Sequence, residues 1–324
     1  MKRILFFLLV AVLAAGCRDK AGTVNLIFDT DLGNDVDDAI AMVMMYRYAD
    51  SGCANILAEG ISKEGTAPSQ CMDIFNAWYG YPNVPFGVVR NGADCETDAL
   101  NYARDVANCT NEDGSPRYKG TGLDYAALPD AQELYKEILQ KQPDGSVTMV
   151  TVGFSTNIAR LLALDRDLVA KKVKLLVMMA CNFTGEQTSE YNVWKDIESA
   201  RTIVDSWPGE IVFSPGELGN QVTYPAEEIE SYVKDTPLSD AYKSYLPMPY
   251  NRPCWDPTAL VYAVEGGKYF NITEPGTVHI SETGISTFEP NPAGLHRILS
   301  VTPEQADVLM SRIVELTSFY KPIN

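Results

Sequence analysis

The sequence predicts an α/β fold, a single domain built on an open, mostly parallel, Rossmann-like sheet with helices on both faces. Two observations support this prediction. Short, almost uninterrupted apolar segments alternate along the chain with segments whose apolar residues recur at helical spacing. Strands of a parallel sheet are buried on both faces, so they consist of such apolar runs. In addition, no linker rich in Ser, Gly or Pro divides the 324 residues, which favours one domain over two.

The predicted elements follow one another in a regular order. A first strand leads into a helix that begins at Val36, and the alternation then continues to residue 213. The predicted strands are residues 24–28, 56–61, 86–89, 147–152, 173–179 and 211–213, and the predicted helices between them are residues 69–79, 156–164 and 197–206. Residues 276–300 are expected to form antiparallel strands around Gly284, and residues 303–320 a closing helix. Ligands of such sheets bind at the carboxyl ends of the strands, so the loops there are expected to carry the function.

The amino terminus has the pattern of a targeting segment. Two basic residues precede an apolar run over residues 4–15, and small residues lead to Cys17. This pattern predicts a signal peptide at residues 1–16. Residues 13–17 resemble a bacterial lipobox, whose cysteine becomes the acylated first residue. A plain secretory signal or a short membrane anchor is the alternative.

The resulting organisation is a signal peptide at 1–16, a tether at 17–22 and a folded domain at 23–324. The predicted location is the bacterial cell envelope, periplasmic or surface-exposed, with membrane contact only through a lipid on Cys17. That compartment permits disulfides. The remaining cysteines are interpreted either as disulfide partners or as buried thiols, and their spacing assigns no pairs: Cys53, Cys71, Cys95, Cys109, Cys181 and Cys254.

Composition excludes two classes of function. The chain has 43 acidic and 26 basic side chains, a formal charge of -17, which argues against binding a nucleic-acid backbone. With 2 histidines and no Cys-x-x-Cys pair, a zinc site is not expected. The expected partner is a small molecule, and the sequence leaves open whether the chain forms a homo-oligomer.

Five aspartates follow the first predicted strand within ten residues: Asp29, Asp31, Asp35, Asp37 and Asp38. Carboxylates at this density repel one another unless a cation lies among them, and hard oxygen ligands suit Ca²⁺ or Mg²⁺. Helix capping would explain one or two of them. An EF-hand is disfavoured because Ile40 stands where its last glutamate belongs. A haloacid dehalogenase-type phosphatase also begins with a strand and Asp-x-Asp, but Gly33 stands where that family has Thr or Val.

Three later segments also follow predicted strands or open helices. The first is Gly153-Phe154-Ser155-Thr156-Asn157, in which the last two residues also fit a helix cap. The second combines Met179 with Glu190-Tyr191-Asn192. The third is Trp255-Asp256-Pro257 before a helix expected from Thr258, and here Asp256 also fits an N-cap with proline at the first helical position.

Together these four segments resemble the nucleoside hydrolase family of the inosine-uridine preferring type. The amino-terminal signature of that family is Asp-x-Asp-Pro-Gly-x-Asp-Asp-Ala. In this chain Leu32 replaces the proline, and two extra residues precede Asp37-Asp38-Ala39. Two registers are therefore open. Either Asp35 matches the first aspartate of the pair, or Asp37 and Asp38 form the intact pair. The second is preferred because it keeps Asp-Asp-Ala together.

The resemblance implies calcium-dependent hydrolysis of the N-glycosidic bond of a ribonucleoside or related riboside. It implies that Asp31 is the general base that activates a metal-bound water. The residues it implies as calcium ligands are Asp31, Asp38, Asp256 and the backbone carbonyl of Val152. The residues it implies as substrate contacts are Asp37, Met179, Glu190, Asn192, Trp255 and Asp256, with Asp37 on ribose or metal.

Trp255 departs from the family pattern. A histidine stands there in purine- and pyrimidine-cleaving members and is implicated in protonating the departing base, which an indole cannot do at neutral pH. Trp255 is interpreted as a surface that stacks on the base or as a core residue. The expected protein is an N-glycosyl hydrolase, and a non-catalytic ribose- or nucleoside-binding lipoprotein is the alternative. Two more departures are Gly65-Thr66 in place of Gly-Asn, and residues 118–123 in place of His-Gly-x-x-Gly-Leu.

Overall fold

A computed structural model describes residues 22–93, 101–185 and 188–318. The predicted signal peptide, most of the tether and the predicted lipid-bearing Cys17 lie outside these ranges, as does Cys95. No helix in the described part of the chain is long and apolar enough to cross a membrane. Cys53 takes part in a disulfide, whereas Cys71, Cys109, Cys181 and Cys254 are free thiols.

Within the described ranges the strands form one ten-stranded sheet and one small two-stranded sheet. Their bounds are β1 Val24–Thr30, β2 Ala54–Ile61, β3 Phe86–Val88, β4 Val147–Thr151, β5 Val173–Met179, β6 Ile211–Ser214, β7 Thr223–Tyr224, β8 Arg252–Pro253, β9 Asn271–Ile272, β10 Gly276–Ile280, β11 Ser286–Pro290 and β12 His296–Ser300. The order across the large sheet is β11-β10-β12-β6-β5-β4-β1-β2-β3, with β9 beside β12 and the pair β7-β8 apart.

The helices cover both faces of the large sheet. Their bounds are α1 Asp37–Asp50, α2 Thr66–Trp78, α3 Tyr102–Ala107, α4 Ala131–Gln140, α5 Thr156–Leu164, α6 Arg166–Lys172, α7 Tyr191–Lys195, α8 Ile197–Ser206, α9 Gly216–Gly219, α10 Ala226–Ser231, α11 Pro237–Tyr245, α12 Trp255–Glu265 and α13 Pro303–Thr317. Two short 3₁₀ turns lie at Tyr125–Ala127 and Gly266–Tyr269. The predicted α/β architecture is therefore confirmed.

Alternation along β1 shows how the two cores form. Leu26 and Phe28 pack into the core beneath α1, α2, α11, α12 and α13, whereas Ile27 packs into the core beneath α4, α5, α6 and α8. Both cores are apolar, so the strand reads as a continuous apolar run. Helix α1 is buried along almost its whole length. A helix enclosed in this way has little freedom to move, which fixes the position of the aspartates at its first turn.

The carboxyl-terminal strands match the prediction, and one of them has a further partner that was not predicted. Strands β10 and β11 are antiparallel on either side of Gly284, as expected. Strand β12 is antiparallel to β10, also as expected, and in addition it runs parallel to β6, which joins the antiparallel edge to the parallel sheet. The pairing of β12 with β6 joins segments about eighty residues apart, so no local turn signal could have predicted it.

The predicted start of the helix at Thr258 is wrong, because α12 begins at Trp255. Asp256 is not its N-cap, since Cys254 holds that position, and the Cys254 side chain accepts no capping hydrogen bond. The Asp37 carboxylate caps the helix instead, accepting the backbone N–H groups of Trp255 at 2.9 Å and Asp256 at 3.1 Å. This cap comes from the first turn of α1, more than two hundred residues earlier, so the local sequence could not reveal it.

Candidate active site

A cavity of about 240 Å³ lies at the carboxyl ends of the central parallel strands. Loops after β1, β4, β5 and β6 and the first turn of α12 form its wall. All nine residues singled out from the sequence line it: Asp31, Asp37, Asp38, Val152, Met179, Glu190, Asn192, Trp255 and Asp256. Five separate parts of the chain therefore converge on one cavity, as expected for the switch region of a parallel sheet.

In its preferred register the sequence analysis assigned no role to seven lining residues: Asn34, Asp35, Asn182, Ser189, Tyr191, Gly216 and Asn220. Tyr191 lies between Glu190 and Asn192 in the sequence, and this position was enough to predict that it lines the cavity. Asn34 and Asp35 belong to the acidic loop but had no assigned role. Gly216 and Asn220 follow β6, where no motif marks them, and only the strand-end rule pointed there.

The first loop turns sharply before α1 begins. Gly33 adopts a φ of +103°, and a Cβ at this position would lie 2.7 Å from the Ala103 Cβ. Only glycine fits that conformation and that space. The turn carries the chain from Asp31 to the start of α1, where Asp37 and Asp38 stand in the first helical turn.

The three later aspartates of the first loop have different partners. Thr30 donates its hydroxyl to Asp38, and Asp37 caps α12. Asp35 has a different partner, because its carboxylate forms an ion pair with Arg252. The extra carboxylate of the loop is thus held by a cation of the protein.

Asp37 and Asp38 each keep one oxygen free for a ligand. Oδ1 of Asp37 and Oδ2 of Asp38 are buried without a hydrogen-bond partner. A buried carboxylate oxygen that lacks a donor is costly unless a cation or a ligand hydroxyl reaches it. These two atoms are therefore the strongest indication in the site of a bound cation or sugar.

Burial and mutual repulsion raise the pKa values of these carboxylates. Burial raises the pKa of Asp31 to about 7, and the carboxylates of Asp35 and Glu190 add to the rise, while the Lys63 ammonium opposes it. The pKa of Asp38 and that of Asp256 lie well above the usual range, through burial first and neighbouring carboxylates second. A cation among them would remove the repulsion and restore the ionised forms.

The donor set suits a hard cation, although the side chains are not drawn together around one point. Across residues 22–93, 101–185 and 188–318, no group of three or more His, Cys, Asp or Glu side chains stands close enough to hold a metal ion. The charges of Asp31 and Asp38 nevertheless raise the pKa of Asp256, so the three carboxylates lie within electrostatic range of one another. Carboxylate oxygens are the ligands that Ca²⁺ and Mg²⁺ prefer, so these residues fit such an ion if their side chains close around it.

Glu190 and Asn192 line the same cavity as the first loop. Glu190 caps α7 and accepts backbone N–H groups of Asn192, Val193 and Cys181 at 2.9, 3.2 and 3.3 Å. Asn192 donates its side-chain amide to the carbonyl oxygens of Val152 at 2.9 Å and Met179 at 3.2 Å. The amide thereby ties the ends of β4 and β5 together. A carbonyl oxygen has two lone pairs, so Val152 keeps one for another ligand.

Trp255 is held as part of the wall. Its indole Nε1 donates to the Gly216 carbonyl at 3.0 Å, and the Arg252 guanidinium lies 4.7 Å from the ring centroid. Gly219 packs so closely that a Cβ there would lie 2.7 Å from the Trp255 Cα. The indole N–H is therefore already committed to the protein.

Two further interpretations from the sequence are wrong. Thr156 and Asn157 do not cap α5, whose N-cap is Ser155 without a side-chain bond. Thr156 donates to Asp196, and Asn157 donates to Asp29 at 2.8 Å. Asp29 is completely buried beneath the cavity. A nucleophile must reach its substrate, so this burial argues against a dehalogenase-type phosphatase with Asp29 as nucleophile.

Comparison with known proteins agrees with this geometry. Residues 26–308 match the model of the inosine-uridine preferring nucleoside hydrolase family. The chain belongs to this family. Over 224 residues it is 29% identical to the pyrimidine-specific ribonucleoside hydrolase RihA of Shewanella sp. strain MR-4, a match that covers 64% of this chain and 63% of that protein. The chain thus aligns with just under two thirds of the length of this curated relative.

Two solved structures share the fold. An inosine-uridine preferring nucleoside hydrolase from Bacillus anthracis superposes with a TM-score of 0.69 at 16% identity, covering 91% of this chain and 100% of that one. A purine-preferring ribonucleoside hydrolase from Gardnerella vaginalis gives a TM-score of 0.69 at 17% identity, with the same coverage of 91% and 100%. At these identities the comparison shows the fold of the whole domain.

Proposed function

We propose that the chain is a calcium-dependent N-glycosyl hydrolase that acts on a ribonucleoside or a related riboside. One observation carries the proposal: the aspartates of the first loop, Glu190, Asn192 and Asp256 line one cavity in a member of the nucleoside hydrolase family. These are the residue types that the family uses for metal and ribose.

The proposed metal ligands are Asp31, Asp38, Asp256 and the Val152 carbonyl. When bound, Ca²⁺ would position and polarise a water together with the 2′ and 3′ hydroxyls of the ribose. The unpartnered Oδ2 of Asp38 supports this assignment. Asp256 lies in the first turn of α12, which the Asp37 carboxylate caps, so the two acidic segments are held in register.

Asp31 is the proposed general base. It is buried beside the cavity, and it takes the proton of the attacking water as the oxygen bonds to the anomeric carbon. Asp37, Glu190 and Asn192 hold the ribose hydroxyls. The surrounding carboxylates stabilise the positive charge that develops on the sugar as the glycosidic bond breaks.

A ribose- or nucleoside-binding protein without catalysis is the second candidate. The environment of Trp255 favours it, since the indole N–H is committed to the Gly216 carbonyl and cannot protonate a departing base. A substrate whose leaving group departs without protonation separates the two candidates, because such a substrate requires only the metal, the water and the base.

The test is release of 4-nitrophenolate from 4-nitrophenyl riboside with Ca²⁺ and after chelation. We expect calcium-dependent release that Asp31→Asn abolishes. Asp113→Asn makes the same chemical change at a fully exposed site and should retain activity. Binding of ribose and calcium without any release would exclude the hydrolase and leave the binding protein.

We also propose that the mature chain is anchored in the bacterial cell envelope by a lipid on Cys17. The basic start, the apolar run and the sequence before Cys17 support it. Cys17→Ser should move the protein from the membrane fraction to the soluble fraction. Equal partition of the variant and the parent protein would exclude the lipid anchor.

A further inference from the structure

A buried lysine contacts the first loop from outside the cavity. The Ser62 N–H donates to the Thr30 carbonyl at 2.8 Å, which joins the chain at the ends of β2 and β1. Lys63 and Asp31 are the next residues along these two segments, so they are neighbours at the carboxyl edge of the sheet. The Lys63 side chain is nearly buried, and its Nζ lies 3.4 Å from the carbonyl oxygen of Gly33 at the turn of the loop. Lys63 is not among the described residues that line the cavity.

The Lys63 ammonium has no carboxylate of its own. In the part of the chain that the structure describes, its polar contact is the Gly33 carbonyl, and no acidic side chain forms an ion pair with it. A buried cation without an ion partner is costly, so its charge must be compensated at longer range. Burial raises the pKa of Asp31, and Lys63 is the strongest of the groups that oppose this rise. Its charge therefore reaches a carboxylate that we assign as a calcium ligand.

A second cation near the first loop differs from Lys63 because it is paired. The Arg252 guanidinium forms an ion pair with Asp35 and lies over the Trp255 ring. The Asp35 carboxylate largely cancels its charge at a distance. Lys63 has no such partner, so its full charge acts on the proposed calcium site.

We propose that Lys63 is a built-in counter-cation that weakens calcium binding in the cavity. This inference rests on the calcium site of the proposed function. An ammonium and a Ca²⁺ ion repel each other, and little water screens them at a buried position. In the empty site the same ammonium reduces the repulsion among the aspartates. Lys63 thus stabilises the empty loop relative to the occupied loop, which lowers the affinity for the ion.

Competition between calcium and protons does not reverse this expectation. Loss of Lys63 favours a proton on Asp31 as well as a calcium ion beside it. A Ca²⁺ ion carries two charges and a proton carries one, so at similar distances the gain in binding free energy is about twice as large for calcium. A titration at mildly alkaline pH further reduces the competition from protons. Loss of the ammonium is therefore expected to strengthen calcium binding.

The test is calorimetric titration of Ca²⁺ into the full chain and into Lys63→Met, which keeps an unbranched side chain and removes the charge. We expect the variant to bind calcium about 10–100-fold more tightly, as is typical for groups next to metal ligands. Lys63→Arg keeps the charge and should bind calcium as weakly as the parent protein. Damage to the loop would weaken binding, so a gain in affinity is not the result of misfolding.

The matched control removes the same charge far from the cavity. Lys174 is exposed near the start of β5, at the edge of the sheet opposite the cavity. Lys174→Met should leave the calcium affinity unchanged. An equal gain in Lys174→Met and Lys63→Met would show that only the net charge of the protein matters, and it would overturn the inference.

A trivalent ion separates the effect of charge from the effect of packing. Tb³⁺ has nearly the radius of Ca²⁺ and carries one more charge, so Lys63→Met should gain more affinity for Tb³⁺ than for Ca²⁺. Sensitised terbium luminescence measures this binding. Equal gains for the two ions would attribute the change to packing and would overturn the role of the charge.

The outcomes separate this inference from the proposed function. If the parent protein binds calcium and folded Lys63→Met binds it equally or more weakly, the role of Lys63 is overturned and the calcium-dependent hydrolase stands. If neither the parent protein nor the variants bind calcium, the calcium dependence fails and the inference fails with it. Thermal unfolding establishes that Lys63→Met folds. Lys63→Gln, with the same expected gain, replaces it in the titration if it does not.

Discussion

The two halves of the cavity differ in how closely they follow the family pattern. The half formed by the first loop, Glu190 and Asn192 has the residue types that the family uses for metal and ribose. Two of its buried carboxylate oxygens have no hydrogen-bond partner within the protein. The half formed by Trp255 and Gly216 has an indole where the family resemblance led us to expect a histidine, and the indole N–H donates to the backbone. Under the proposed function, the difference means that recognition of the ribose and activation of the leaving group are separate tasks, carried by separate elements of the fold.

The largest effect is expected in the first half. Asp31→Asn removes the proposed general base while keeping the shape of the side chain, and it should lower kcat on 4-nitrophenyl riboside by about 10³-fold. Steady-state kinetics at saturating Ca²⁺ measure this change, and thermal unfolding establishes that the variant folds. A loss of less than tenfold would remove Asp31 from the chemistry.

The next effect concerns the metal. Asp38→Asn replaces a charged ligand with a neutral one, and the Ca²⁺ concentration for half-maximal activity should rise by about 10–100-fold. Calcium titration of activity and calorimetry measure it independently. Asp37→Asn provides the matched comparison, since its larger effect should fall on KM for the riboside. An unchanged calcium requirement in Asp38→Asn would place the ion elsewhere.

A change in the second half should act in the opposite direction. Trp255→His introduces an imidazole where the family has one, and it should raise kcat/KM for uridine by about tenfold through general acid catalysis. The 4-nitrophenyl riboside, whose leaving group departs without protonation, should gain nothing. Trp255→Phe is the control, since it keeps an aromatic ring without an acid. Equal gains on both substrates would show that the tryptophan acts by its size alone.

The smallest effect tests how rigidly this wall is built. Gly219→Ala places a methyl group against the Trp255 backbone and should cost about 1–3 kcal/mol of unfolding free energy. Gly209→Ala is the matched control, because a Cβ there would lie 3.7 Å from its nearest neighbour. Chemical denaturation compares the two variants. Equal unfolding free energies of the two variants would mean that the residues around Trp255 shift at little cost to accept the methyl group.

The sequence predicted the sheet and the location of the site because both depend on local signals. Apolar runs marked β1 and β5, and the strand-end rule directed attention to Asp31 and Glu190. The order of the strands could not be predicted, since no local sequence pattern indicates that β12 pairs with β6.

Within the site, long-range partners were the unpredictable part. The role of Asp35 became visible only through Arg252, which lies 217 residues later in the chain. The same holds for Asp37, whose carboxylate caps α12 and thereby shifts the start of that helix to Trp255. A local capping rule assigns such a cap to the nearest polar residue, which explains why Asp256 was assigned to it.

The most direct test of the central claim is the dependence of kcat/KM on the pKa of the leaving group, measured with a series of substituted phenyl ribosides at saturating Ca²⁺. The account predicts calcium-dependent hydrolysis with a steep slope, a loss of roughly fivefold to tenfold for each unit of leaving-group pKa, because no acid assists departure. A slope near zero would contradict it, since it would show that the leaving group is protonated in the transition state.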